Sequence, residues 1–297
     1  MGTQNKAYLN AFIGIIIFSA TLPFTKLALG INNNQLSPEF ITFGRSTLAG
    51  LLSIIFLIIN KKKIPSSKYF ANLIIIAILL IFLFPLLISY GVKDNQAIHS
   101  GVILGSLPLF TSLFAAIYFK QKETFLFWFF SFMGFASIIL FSIFALDKFD
   151  LQSIANFNVS DLILFLSVIV ASIGYVVGSK LTEKLGALTV ISWALAISLP
   201  ITLPLSIVHY PSNSINLESW LAFFYLAVMA QWIGVFFWFK GLSLGGAVKI
   251  GQVQLIYPFS SFVFSIFLLN ENLNFFTFAF SCLIISIIYL TKKYSHK

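Results

Sequence analysis

Chemistry needs polar side chains, and few of them interrupt the apolar sequence of this chain. Of its three histidines, His209 and His296 fall in breaks or in the tail, and His99 alone falls in an apolar run. An imidazole titrates near neutrality, so His99 could relay a proton or simply cap a helix end. Ser100 is its neighbour in sequence and points elsewhere on a helix, which leaves no Ser–His nucleophile pair. The single cysteine, Cys282, permits neither an intrachain disulfide nor a cysteine-based metal site. Neither HExxH nor GxxxxGKS/T occurs, and no soluble segment is long enough to bind ATP. None of the nine acids falls deep inside an apolar run. Proton- and sodium-coupled carriers commonly use such a carboxylate. These absences argue against an enzyme, a cofactor or a metal, and favour uniport, exchange or weakly coupled movement of a solute.

The remaining polar residues suggest a lined pathway. A polar group inside hydrocarbon faces a cavity or another helix unless it reaches the headgroups. Near the chain's end, Lys249 and Gln252 share one helix face, and Gln254, Tyr257 and Ser261 share another. They suit a pathway or hydrogen bonding between helices, with snorkelling the alternative for Lys249. Ser172, Tyr175, Ser179 and Lys180 form a stripe interleaved with Gly174 and Gly178, a spacing that also serves close helix packing. Gln231, Trp232 and Trp238 could contact a solute or pack as ordinary aromatics. Thr25 and Lys26, with Arg45, sit near one membrane face, where the cations could attract a carboxylate or snorkel to headgroups. Pro108 and Pro258 each remove a backbone donor inside an apolar run and are candidate hinges.

Positioning these groups requires helices in lipid. Hydrophobic residues make up 59% of 297 and charged residues 9%, against about 25% in a soluble domain. Mean hydropathy is +0.98. Runs of about 20 apolar residues cross a bilayer. Spans are predicted near 8–29, 40–59, 71–91, 97–118, 124–145, 160–181, 187–208, 219–239, 247–269 and 273–291. The first is too long for a signal-peptide core and reads as a retained helix. The net charge of +9 comes from cations in the short breaks, a topology signal rather than a nucleic-acid patch. With both termini cytoplasmic, Lys6, Lys61, Lys62, Lys63, Lys68, Lys120, Lys122, Lys180, Lys184, Lys240, Lys249, Lys292, Lys293 and Lys297 lie inside, and the outer connections keep only Lys93 and Lys148.

The chain also repeats itself. At an offset of 150 residues, Gly91 matches Gly241, Ala97 matches Ala247, Gly101 matches Gly251 and Pro108 matches Pro258. Each proline leads into an apolar stretch that ends in an acid, Glu123 or Glu271. The junction falls in the polar stretch Asp147–Asp161, dividing the chain into 1–150 and 151–297. An odd number of helices per unit makes the units inverted, with a site expected between them near the midplane. The expected fold is therefore an all-α integral membrane protein: ten transmembrane helices in two inverted five-helix repeats, N-in and C-in.

On these residues the chain resembles the drug/metabolite transporter superfamily, specifically its EamA-like branch. The resemblance rests on Phe24-Thr25-Lys26, Gly44-Arg45, the two Pro-to-acid segments, and Phe237-Trp238-Phe239-Lys240-Gly241-Leu242 followed by Gly245-Gly246-Ala247. In that signature the acid usually follows a glycine, whereas here Lys122 and Asn270 precede it. The resemblance implies a secondary transporter of small organic metabolites, moving amino acids, related metabolites or drugs outward by alternating access. Its setting would be the bacterial cytoplasmic (inner) membrane, with lipids and a small-molecule solute as partners and a homodimer left open. A lipid flippase or scramblase on the same scaffold, and an intramembrane lipid enzyme, are the alternative readings.

Overall fold

The computed structural model describes residues 2–30, 32–118, 120, 124–144, 159–246 and 250–294. Among them there is no strand; the chain runs as apolar helices joined by short connections. Seven are long and apolar enough to cross a membrane: α1 (Thr3–Leu29), α2 (Pro38–Ile59), α3 (Ser67–Lys93), α4 (Ala97–Tyr118), α6 (Val159–Leu185), α7 (Ala187–Val208) and α8 (Leu217–Gly245). Three shorter apolar helices complete the described set. They are α5 (Phe125–Phe144), α9 (Tyr257–Leu269, entered through a 3-10 segment Gly251–Ile256) and α10 (Phe275–Lys293). The predicted junction lies mostly outside the described residues, as do Glu123, Lys122, Ala247 and Lys249.

Helices pair across the two halves of the chain. α2 runs along α7, α1 along α8, α3 along α6 and α5 along α10, while α4 meets α9. Exchanging the first five helices for the second five returns the same set of pairs. Small residues let the α1–α8 seam close. A Cβ on Gly14 would stand 2.9 Å from the Trp238 backbone nitrogen, and one on Gly241 would stand 2.8 Å from that of Ala11. With no hydrophobic drive between helices in lipid, such close backbone approach supplies the packing. Gly174 and Gly178 on α6 instead make room for side chains, those of Leu80 and Phe239.

Outward faces are apolar. Phe125 is 81% exposed, Phe267 80% and Phe275 84%, with Ile58, Ile59 and Ile207 similarly bare. Contiguous apolar surface on that scale is not compatible with water and marks a lipid contact. Buried hydroxyls are mostly neutralised within their own helix, as Ser19 donates to the Ile15 carbonyl and Thr42 to that of Pro38.

Five described helices depart from regular geometry: α1 is interrupted at Ala20, and the other four do so in matched places. α3 widens to a π-helix over Ala77–Leu83 and α8 over Tyr225–Gly234. α4 is interrupted between Leu104 and Leu107, and α9 changes from 3-10 to α at Tyr257. Pro108 and Pro258 thus occupy the second position of a fresh α-segment rather than a helix interior. There the missing N–H would have been an orphan anyway, so neither proline breaks a hydrogen bond already formed. The sequence reading placed each proline inside a continuous span, whereas each stands where the helix geometry changes.

Candidate functional site

The irregular helices α1, α3, α4 and α9 meet the regular α6 around a central cavity. It is lined by Ile15, Phe18 and Thr21 of α1, Phe84 and Ile88 of α3, Leu107 of α4, Tyr175 of α6, and Gln254 and Tyr257 at the entry to α9. Its volume open to water centres is ≈ 20 Å3, room for little more than one water. Larger grooves of ≈ 420 and ≈ 330 Å3 run along the outside of the α2–α7 seam. Those are surface furrows between lipid-facing side chains, whereas polar groups converge on the centre, as ligand sites require.

Two of the buried polar atoms without a protein partner lie at this centre. Gln254 is 2% exposed and its Oε1 has no protein partner. Trp238 is fully buried, its indole Nε1 equally unpartnered, and its ring meets Tyr175 edge-on at 6.0 Å. Tyr175 also stacks with Phe18 at 6.4 Å. Ser172 lies one turn from Tyr175, accepting from Thr111 Oγ1 at 3.3 Å and donating to the Leu107 carbonyl at 3.5 Å.

Arg45 is the main surprise. Sequence placed it near a membrane face with headgroups in reach, yet it is 4% exposed and eight residues into α2. Its Nη2 donates to Gln231 Oε1 at 2.6 Å, and Gln231 Nε2 donates to the Leu80 carbonyl at 3.4 Å. The two π-segments explain the contact. A π-turn frees carbonyls of the helical ladder, and Leu80 and Ile81 use theirs on Gln231 and on Ser46 Oγ.

A second polar group gathers where α1, α3, α4, α6 and the α9–α10 connection meet. Glu271 accepts from the Ala97 amide at 2.7 Å and the Ile98 amide at 2.8 Å, closing the N-terminus of α4 with a carboxylate. The preceding Asn270 takes a left-handed conformation, φ 52°. Asparagine is the residue other than glycine that tolerates this region best, so the departure from the Gly-acid pattern costs the turn little. Lys26 Nζ donates to the carbonyls of Val92 and Lys93 at 3.2 and 2.6 Å, tying α1 to the end of α3 rather than reaching headgroups. His99 Nε2 lies 2.9 Å from Asp161 Oδ1, which also accepts from Asn95 at 3.0 Å. His99 stacks on Phe141 at 4.9 Å. Asp161, read from sequence as the end of the polar junction at the start of the span 160–181, belongs to the first turn of α6 and is 2% exposed. His99 therefore has a buried carboxylate beside it that no local spacing could reveal, since 62 residues separate them.

Burial raises the Glu271 carboxyl above its ordinary range, opposed by the two amides and by the Lys26 ammonium. A folded-state pKa above the unfolded one means the folded protein binds the proton more tightly, so Glu271's contribution to stability is complete in acid and declines as pH rises through that pKa. Truncation removes the acceptor for two amides, each costing about 1–3 kcal/mol if left unpaired. Glu271→Ala should therefore lower stability by about 2–4 kcal/mol in thermal melts of the purified protein. Glu271→Gln should cost less and lose the pH dependence in the carboxyl range; an unchanged melt in Glu271→Ala would refute the cap.

Of the pathway residues expected from sequence, Tyr175, Gln254 and Tyr257 line the cavity, and Ser172 and Trp238 back it. Gln231 instead holds Arg45. Thr25 donates to the Thr21 carbonyl within its own helix, and Thr21, not Thr25, reaches the cavity. Lys26 and His99 belong to the second group. Lys249 and the Gln252 side chain lie outside the described residues. Thr21, Phe18 and Phe84 were not singled out, because an aromatic facing a cavity and one facing lipid look alike in sequence.

Lipid-facing apolar helices around a small polar centre define a multi-pass membrane protein. The chain belongs to the EamA-like transporter family, whose model matches it over residues 5–143 and again over 158–292. It is 33% identical over 276 residues to YdeK, an uncharacterised transporter of Bacillus subtilis strain 168, covering 92% of each chain. YyaM, another uncharacterised transporter of that organism, is 25% identical over 281 residues, covering 87% of this chain and 86% of its own. A solved crystal structure superposes with a TM-score of 0.64 over 95% of this chain and 98% of its own, at 16% identity, which establishes likeness of fold alone.

Proposed function

We propose that this protein is a secondary transporter that carries a small organic solute across the bacterial cytoplasmic membrane by alternating access. The observation that carries this reading is the nearly closed central cavity between helices of both halves, its mainly apolar wall interrupted by Thr21, Tyr175, Gln254 and Tyr257. At ≈ 20 Å3 it cannot admit a metabolite without helices moving apart. The interruptions in α1, α4 and α9 border it and the π-segment of α3 ends beside Phe84 on its wall, and these are where such movement costs the fewest regular hydrogen bonds.

The same reading takes the molecule as ten spans, N-in and C-in, built from two inverted five-helix units meeting near residue 150. Support comes from the helix pairs that exchange into one another, the matched π-segments, the matched prolines, and the two stretches matched by one family model. Pro108 and Pro258 serve as hinges, each opening a new α-segment beside the cavity. Lipid translocation is less well supported: it needs a polar track open to the bilayer, and the grooves along α2 and α7 are mainly apolar. Efflux of amino acids, related metabolites or drugs is the direction and cargo in keeping with the family.

Purified protein in liposomes preloaded with a broad mixture of labelled metabolites provides the test. Saturable release or exchange of at least one class is the expected result. Failure to move any of them, together with movement of fluorescent phospholipids between leaflets, would replace this function with lipid translocation.

A further inference from the structure

We propose that Arg45 is the anion anchor of the central site and that the transported solute carries a carboxylate on an apolar or aromatic body. This inference rests on the transport reading, and it concerns which class of solute the cavity takes.

Arg45 is a permanent cation in the bilayer's interior. Ionisable groups there are expensive, pair with something, and mark solute pathways. Yet among the described residues no carboxylate lies within ion-pair distance of it; the ion pair found among them is His99–Asp161. The acceptor it does have, Gln231 Oε1, is neutral and orients the guanidinium without balancing its charge. Its Nε, fully buried, has no protein partner. A guanidinium has five N–H donors in a rigid fork that fits a carboxylate in bidentate fashion, so much of its capacity is unused.

The surroundings point the same way. The Tyr175 ring meets Trp238 edge-on at 6.0 Å and shares the cavity wall with Tyr257 and Gln254. Leu80, whose carbonyl holds Gln231, packs against Gly174, the residue before Tyr175. A polar string therefore runs from Arg45 through Tyr175 to the Tyr257 and Gln254 wall of the cavity. Along it two donors lack a protein partner, the Arg45 Nε and the Trp238 indole N–H, beside one acceptor, the Gln254 Oε1, and Tyr175 and Tyr257 line the cavity. Donors around a fixed cation select an anionic acceptor. The remaining wall, Phe18, Phe84, Ile15 and Ile88, is apolar and suits a ring or aliphatic body.

Three probes with one body separate charge from shape: 3-phenylpropionate, 3-phenylpropionamide and 3-phenylpropylamine. Their binding is measured calorimetrically to the full chain in lipid nanodiscs, wild type and Arg45→Gln. The propionate should bind wild type at least about tenfold more tightly than the amide, in the range of a hydrogen bond to a charged group, with the amine weakest. In Arg45→Gln the propionate should fall to the amide's affinity while the amide is unchanged, and Arg45→Lys should recover part of the preference. Equal binding of propionate and amide to wild type, or a preference that survives in Arg45→Gln, overturns the proposal. The wild-type comparison stands alone if Arg45→Gln does not fold. Solute movement in liposomes without a carboxylate preference removes the anchor and keeps the transporter; carboxylate binding without any movement does the reverse.

Discussion

Gly241→Leu is expected to prevent stable assembly of the helix bundle, and even Gly241→Ala should lower stability by about 1–3 kcal/mol, as overpacking does. The reason is that the added Cβ meets main chain. It would stand 2.8 Å from the Ala11 nitrogen and 3.0 Å from the Ala11 Cα, atoms that cannot rotate away. Gly91, matched to Gly241 at an offset of 150, gives a built-in comparison. A Cβ there meets Leu164 Cγ at 2.5 Å, with the Ser160 carbonyl farther off at 3.3 Å. A leucine side chain can shift rotamer, so Gly91→Ala should cost less than Gly241→Ala. Thermal melts of the purified variants measure both. Equal losses at the two sites would mean that the α1–α8 and α3–α6 seams yield alike and that backbone contact is not what limits the first.

Gln254→Leu should cut solute exchange in liposomes by about tenfold or more while leaving the melting temperature unchanged or raised. The two halves of this expectation have one cause. Gln254 Oε1 is buried without a protein partner, so the fold carries its desolvation cost without a compensating bond. Replacing it with an apolar group of similar size removes that cost and also removes a polar contact from the cavity wall. A merely structural glutamine would show the opposite pattern, with lost stability and retained transport. Tyr257→Phe, which deletes one hydroxyl from the same wall, should act in the same direction with a smaller effect.

How much of this was legible in the chain depended on the range of the interaction. The Gln254–Tyr257 face and the Ser172–Tyr175 stripe could be read because helical periodicity is local: residues three or four apart share a face wherever the helix ends up. The matched glycines and prolines were legible because a duplicated chain keeps its register. Asp161 beside His99, Glu271 over the α4 amides, and Gln231 against Arg45 were not, being contacts across 62, 174 and 186 residues. Arg45 illustrates the difference most clearly. Its distance from the helix start allowed snorkelling, and only the neighbouring α8, opened by its π-segment, offered an acceptor that keeps the cation inside.

Composition and spacing alone determined that this chain lives in lipid, that it is helical, and that it resembles the family to which it belongs. Those properties follow from transfer free energies and backbone periodicity, which act residue by residue. Tertiary structure decided which of the polar residues meet. Inside a membrane, where the hydrophobic effect does not choose partners, that choice falls to close backbone contact at small residues and to the few unsatisfied polar atoms, and both are properties of helices already packed together.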